Sequence, residues 1–228
     1  MVNGIVNSSQ QIVTSGLLIN YDAAQLRSYP TTGTNVTDLS GNNTNGTLVN
    51  GVAFDTSNGG TFSFDGTNDY IEADLNVSGT TSKSINMWIY PKSTTQRGIC
   101  GVRPPSAQSG WAIRINQSIN TVTYYHTGGN TVVSTAIINI NNWHNICLVY
   151  NSSPTSATWY INGVVNNTVS PFAAATAASA GTGRIGIEGT FALGYFNGYI
   201  QQYQQYNRVL TAAEILQNFN ANRSRYGL

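Results

Sequence analysis

The stretch from Tyr195 to Leu228 does most to restrict what this chain can become, because it sets a strand pattern, a capped helix and a short tail in one order. Asn197-Gly198 supplies a turn. Tyr199, Gln201, Tyr203 and Gln205 then alternate with Ile200, Gln202, Gln204 and Tyr206, the two-residue period of a strand. Thr211 can accept from the Glu214 amide while the Glu214 side chain reaches back to Thr211, and Leu210 and Ile215 are placed to staple the entry turn, so a helix starts here. It fades into Asn-rich sequence. Elsewhere the chain is short alternating runs separated by Gly, Asn, Ser and Pro at the intervals of a sandwich. The predicted fold is all-β, two antiparallel sheets with one short C-terminal helix.

One hairpin is sharply marked. Trp159 and Ile161 alternate with Tyr160, Asn162-Gly163 offers the two positive-φ positions of a type I′ turn, and Val164-Val165 begins the return strand, with 143–150 as the expected neighbour. Residues 171–183 hold alanines without apolar periodicity, bounded by Pro171 and Gly181, and are predicted to be a surface loop. No linker divides the chain, and 228 residues suit one large sandwich.

Charged residues are only 8% of the chain, against about a quarter in average domains. Asn alone is more frequent than Asp, Glu, Lys and Arg together, so amides and hydroxyls solvate the surface. A net charge of +1 offers no field for nucleic acid. Residues 1–16 lack a basic start and an unbroken apolar run, which predicts neither a signal peptide nor a membrane span. Cys100 and Cys147 lie in apolar runs and read as buried thiols rather than a disulfide.

Several segments resemble laminin G-like, concanavalin A-like domains of the kind found in structural proteins of tailed bacterial viruses. They are IVTSGLLINYDAA at 12–24, DLSGNNTNGTLVNGVAF at 38–54, FSFDGTNDYIEA at 62–73, SINMWIYP at 84–91, NNWHNICLVYNSSPTSATWYINGVV at 141–165, and the closing Asn-Phe-Asn-Ala and Arg-Tyr-Gly-Leu. The resemblance implies a jelly-roll sandwich over 12–228, preceded by an arm at 1–11. It departs at Gly198-Tyr199-Ile200-Gln201-Gln202, where the family's usual Gly-x-Ile-Asp-Glu has both acids replaced by amides. Any role of those acids in relatives is not carried over.

The glucanases of this superfamily place two carboxylates on one strand face, but their Glu-x-Asp-x-x-Glu spacing is missing here. Glu72, Glu188 and Glu214 form no close pair in sequence, and neither His126 nor His144 has an acidic residue close by. A non-enzymatic protein is expected. Trp88, Trp143 and Trp159 read as core within Ile/Val/Leu-rich strands. Trp111 follows a loop and then alternates with Ile113 and Ile115, while Tyr124, Tyr125 and His126 approach a hairpin tip at Gly128-Gly129-Asn130; these four are either core or the rings that meet a sugar or partner.

No cofactor is required. The resemblance implies one possible calcium, with Asp65, Asp69 and Asp22 as hard oxygen ligands, although Asp65-Gly66-Thr67-Asn68-Asp69 is equally an ordinary turn. Two functions follow from the resemblance: a virion structural protein, a decoration or fibre-associated domain partnered by capsid or tail proteins and by copies of itself, or an adhesion module for host-surface glycans. For the first, Val2, Ile5 and Val6 in the arm and Arg225, Tyr226 and Leu228 in the tail are the expected anchors. Nucleic acid and membrane are not expected partners, and the virion is the expected location.

Overall fold

A computed structural model describes residues 11–75, 80–93, 95, 97–103, 110–116, 119–126, 131–173, 182–189 and 194–228. Among them, two antiparallel sheets pack face to face. Sheet A runs β14 (Val164–Val169), β13 (Thr155–Ile161), β12 (His144–Ser152), β7 (Lys83–Pro91), β16 (Asn197–Tyr206), β5 (Thr61–Asp65) and β4 (Ala53–Asp55), with β1 (Leu17–Asp22) paired to the C-terminal half of β16. Sheet B runs β11 (Thr131–Val133), β10 (Thr121–His126), β9 (Trp111–Asn116), β8 (Arg97–Val102), β15 (Gly183–Ile185), β6 (Tyr70–Ala73), β3 (Gly46–Val49) and β2 (Asn35–Val36). One helix, α1 (Ala212–Asn222), and a 3-10 turn (Arg223–Tyr226) close the chain.

Alternation along each strand divides its side chains between core and outer face. On β7, Ile85, Met87 and Ile89 point into the main core with Leu148 of β12, Phe62 and Phe64 of β5 and Ile113 of β9. The β13–β14 hairpin turns at Asn162 (φ 51°) and Gly163 (φ 77°), the left-handed pair its sequence predicts, and β13 pairs with β12 as expected. Cys100 belongs to the main core and Cys147 to a second cluster on the far side of sheet A, so the two thiols sit in different layers and are free.

The outer face of sheet A is polar yet buried, which amides make feasible because each can both donate and accept without charge. Asn145 Nδ2 donates to Asn86 Oδ1 at 3.0 Å, and Asn86 Nδ2 donates to Gln204 Oε1 at 2.8 Å, crossing β12, β7 and β16 in one row. Helix α1 lies over this face. The capping box between Thr211 and Glu214 is formed, and Leu210 and Ile215 are both buried beside Val13, Leu17 and Tyr206. Asn218 Nδ2 donates to the Tyr206 hydroxyl at 3.0 Å and its Oδ1 accepts from the Val13 amide at 2.8 Å. Asn222 Nδ2 donates to Gln202 Oε1 at 3.1 Å.

The tail corrects an expectation. Arg225 and Tyr226 are committed to the sandwich instead of being presented to a partner. The Tyr226 ring stacks on Trp88 at 3.8 Å and meets Trp143 at 4.7 Å, its hydroxyl donates to Gln201 Oε1, and Arg225 pairs with Asp22 at 3.0 Å. Gln201 Nε2 also donates to the carbonyls of Asn58 and Gly60 at 2.7 and 2.8 Å. A carboxylate at 201 would have no hydrogen for either carbonyl, which is the physical reason for an amide there. Leu228 remains exposed. Val2, Ile5 and Val6 lie outside the described residues, as does most of the loop expected at 171–183, whose Phe172 is in the core. Trp88 and Trp159 are fully buried; Trp143, expected in the core, is half-buried at the rim of the tail, where its indole N–H donates to Asn58.

The tail is therefore expected to stabilise the fold. Tyr226→Ala should cost about 3 kcal/mol, as for other large buried side chains, and Tyr226→Phe about 1 kcal/mol for the lost hydrogen bond. Urea unfolding measures both, and a Tyr226→Ala loss below about 0.5 kcal/mol, within the range of ordinary surface substitutions, would show the tail to be dispensable.

Candidate functional site

Strand β10 reads Thr-Val-Thr-Tyr-Tyr-His, and the two-residue period splits its aromatic residues. Tyr124 and His126 point inward with Val122, and on β9 Trp111 does the same; all are fully buried. These rings surround a buried cation. The Lys83 ammonium lies 5.0 Å from the Tyr150 ring centre and 5.9 Å from that of Trp111, and Phe172 packs 4.7 Å from His126. Burial lowers the Lys83 pKa to about 7. The ligand-contact reading of Trp111, Tyr124 and His126 is thus corrected: their faces are consumed by the core. Tyr125 alone points outward and is half-exposed.

Tyr125 opens onto the outer face of sheet B, where the chain concentrates its scarce charge. Of ten Lys and Arg and nine Asp and Glu, this face carries Arg103, Arg114, Arg184, Glu72 and Glu188. The pairings Tyr125↔Ala112, Ala112↔Gly101, Gly101↔Arg184 and Arg184↔Glu72 place Tyr125, Arg184 and Glu72 in one row across five strands. The guanidinium of Arg103 lies over the Tyr125 ring at 4.8 Å, and that of Arg184 over the Tyr70 ring at 4.2 Å. Between the two stacks, Ala112 and Gly101 leave a floor without long side chains. At about 4.8 Å per strand the backbones of Tyr125 and Arg184 stand about 14 Å apart.

Two ion pairs organise the face. Arg103 Nη1 meets Glu188 Oε1 at 3.2 Å with both side chains buried, and Arg184 Nη2 meets Glu72 Oε2 at 3.3 Å in a more open setting. Burial raises the Glu188 pKa, opposed by Arg103 and Arg114. Glu188 can approach Arg103 because Gly98 lies beneath it: a Cβ there would come within 2.3 Å of the Glu188 amide nitrogen. Glu188 Oε2, Thr121 Oγ1 and Thr123 Oγ1 are buried and have no hydrogen-bond partner. Such atoms cost about 1–3 kcal/mol each while unmatched, and they concentrate where a ligand or water completes them.

Sequence reasoning did not find this face, apart from Tyr125. The alternation in Trp-Ala-Ile-Arg-Ile-Asn turns Arg114 outward and was legible, but Arg103 and Glu188 are 85 residues apart and nothing local joins them. Glu72 and Glu188, which form no close pair in sequence, share the face through separate strands, each held by its own arginine.

The calcium triad does not assemble. Asp22 pairs in register with Gln202 and Asp65 with Asn197, five residues apart along β16, or about 16 Å. Asp22 is occupied by Arg225, while Asp69 Oδ2 accepts from the Asp65 amide at 3.0 Å and Asp65 Oδ1 from the Thr67 amide at 2.7 Å, as in an ordinary turn. Among the described residues no three His, Cys, Asp or Glu cluster as metal ligands.

A family model of the concanavalin A-like lectin/glucanases superfamily, Laminin_G_3, matches residues 65–216. The chain belongs to this family. No curated protein sequence matches it. Among solved structures, domain 4 of an extracellular GH43 arabinanase from Geobacillus stearothermophilus, in complex with arabinotriose, gives a TM-score of 0.69 at 16% identity, covering 89% of this chain and 97% of that one. The binding domain of Paraclostridial Mosquitocidal Protein 1 gives 0.70 at 17% identity, covering 91% and 52%, and the receptor binding domain of botulinum neurotoxin type G gives 0.65 at 18%, covering 90% and 51%. The chain spans about half of each toxin domain. At these identities the likeness is one of fold.

Removing Arg103 would strand the Glu188 charge. Arg103→Ala should destabilise the protein at pH 7 by about 3–5 kcal/mol, the cost of breaking a buried pair. Because the folded Glu188 pKa is raised, the folded state binds more protons than the unfolded chain between the ordinary carboxylate value and the raised one, so this group's contribution to stability falls as pH rises through that window and recovers on acidification. The Arg103→Ala deficit should shrink when unfolding is measured at pH 4 and in the double variant with Glu188→Gln. An equal deficit at both pH values would contradict it.

Proposed function

We propose that this protein is a non-catalytic glycan-binding module whose site is the outer face of sheet B around Tyr125. The observation that carries the reading is the set of buried polar atoms without partners, Glu188 Oε2, Thr121 Oγ1 and Thr123 Oγ1, on the face where Tyr125 offers a half-exposed ring. Hydroxyl groups both donate and accept, so a carbohydrate satisfies a carboxylate oxygen and threonine hydroxyls alike. An aromatic ring and an arginine beside them suit the apolar and polar edges of a sugar. The binding domains among its structural neighbours, one of them holding arabinotriose, support the reading.

Binding rather than hydrolysis is favoured because Glu72 and Glu188 are each engaged by an arginine, so neither is an unpaired carboxyl group free to act on a glycosidic bond. The setting we propose is a virus particle, supported by the resemblance of the segments at 12–24 and 217–228 to virion laminin G-like proteins. Part of that resemblance, Phe219 and Tyr226, lies in residues that hold the helix and tail to the sheet, so it speaks for the fold before it speaks for attachment. The number of copies per purified particle tests this setting.

Screening against neutral oligosaccharides, arabinotriose included, followed by calorimetry, should find a ligand whose affinity falls at least about tenfold in Tyr125→Ala, or about 1.4 kcal/mol, with an unchanged melting curve. No sugar fragments should be released. Wild-type affinity in Tyr125→Ala would remove the site from this face, and released fragments would make the protein an enzyme.

A further inference from the structure

A second polar recess lies on the opposite side of the molecule. It is a groove of about 410 Å³ on the outer face of sheet A, between β1 and the C-terminal end of α1. Amides make up most of its uncharged polar lining: Asn20 from β1, Gln25 from the following loop, Gln202 from β16 and Asn222 from the helix end line it, with Gln11 and the Thr14 hydroxyl beside them. Its charged walls differ in kind. Asp22 receives Arg225 on both oxygens, at 3.2 and 3.0 Å, so the one acid lining the groove is already neutralised. Arg27, exposed at the rim, makes no hydrogen bond, ion pair or ring contact among the described residues.

The floor carries an independent sign of a missing group. Asn20 is 7% exposed, its backbone amide donates to Asp38 Oδ1 at 2.9 Å, and its own Oδ1 has no partner. Beneath the floor, opposite Asn20 in the β1–β16 register, Gln204 Nε2 is also buried without a partner. Of the two, Asn20 lines the groove, and its acceptor oxygen is matched by a hydroxyl that donates to it. The rim asks for the reverse, since a free guanidinium is matched by a carboxylate in a planar, charge-assisted pair.

We propose that this groove binds an acidic sugar, a hydroxylated ring bearing a carboxylate of the uronic-acid class. A ring hydroxyl reaches Asn20, other hydroxyls meet Gln25, Gln202 and Asn222, and the carboxylate faces Arg27. The site is separate from the face of sheet B and stands whether or not that face binds glycan. It also gives the docked tail a use beyond stability, because Arg225 holds Asp22 and thereby prevents it from repelling the ligand.

Trigalacturonate is the probe, with galactotriose as its neutral counterpart and acetate as a bare carboxylate, titrated into the full chain and followed by calorimetry. Trigalacturonate should bind at least about tenfold more tightly than galactotriose, a difference that shrinks at high salt. Arg27→Gln should abolish the preference with an unchanged melting curve, since the side chain is exposed, while Tyr125→Ala should leave it intact. Loss of the preference in Tyr125→Ala would move acidic-sugar binding to sheet B and overturn the assignment. Full retention of the preference in Arg27→Gln, equal affinity for galactotriose, competition by acetate at equal concentration, or no binding of trigalacturonate at millimolar levels would each overturn it as well, the last leaving water as the partner of Asn20 and Gln204.

Discussion

The arrangement depends on amides that replace charge across the buried outer face of sheet A. Strand β16 is the spine of that sheet, paired with β7 along its length and with β5 and β1 on its other side. Its outward positions are Gln201, Gln202, Gln204 and Tyr206, and each meets either a neighbouring strand or the C-terminal segment. Burying such a face with carboxylates would require counter-charges the chain barely has, and burying it with hydrocarbon would give the helix no directional contacts. An amide row satisfies itself laterally and still offers hydrogen bonds upward.

From that row follows a division of labour between the two outer faces. Sheet A spends its outer face on the helix and tail, through the Trp88, Phe219 and Tyr226 stack and the Arg225 to Asp22 pair. Among the described residues, sheet B receives no helix. Its outer face instead gathers two ion pairs, two arginine-covered tyrosines and buried atoms without partners, Glu188 Oε2, Thr121 Oγ1 and Thr123 Oγ1 among them. In a chain so poor in charge, a buried Arg103 and Glu188 are costly to stability, and costly polar groups concentrate at sites that bind. Sheet A keeps a recess where the helix end stops short of β1.

Two departures from sequence expectation share a cause. Tyr124, Tyr125 and His126 are consecutive, and a strand cannot send consecutive residues to one side; once β10 was placed, only Tyr125 could face solvent. Similarly, Tyr226 and Leu228 have the same apolar character in sequence, yet one is buried and the other exposed. The difference lies in Trp88, which reaches the first and not the second, and no local pattern reports it.

The amino-acid sequence by itself determined the elements whose causes are local. The Asn162-Gly163 turn, the Thr211 and Glu214 capping box with its Leu210 and Ile215 staple, and the alternation of β16 are each fixed by residues within a few positions of one another. The separation of Cys100 from Cys147 was also legible as two buried thiols. Only the tertiary structure decided which face each alternating set would occupy, that Gln201 would bind the tail, that Arg103 would find Glu188, and that Asp22 would be drawn to Arg225 and away from Asp65. Those outcomes depend on strands distant in sequence meeting in a particular register, and a period of two says how side chains divide without saying which half is covered.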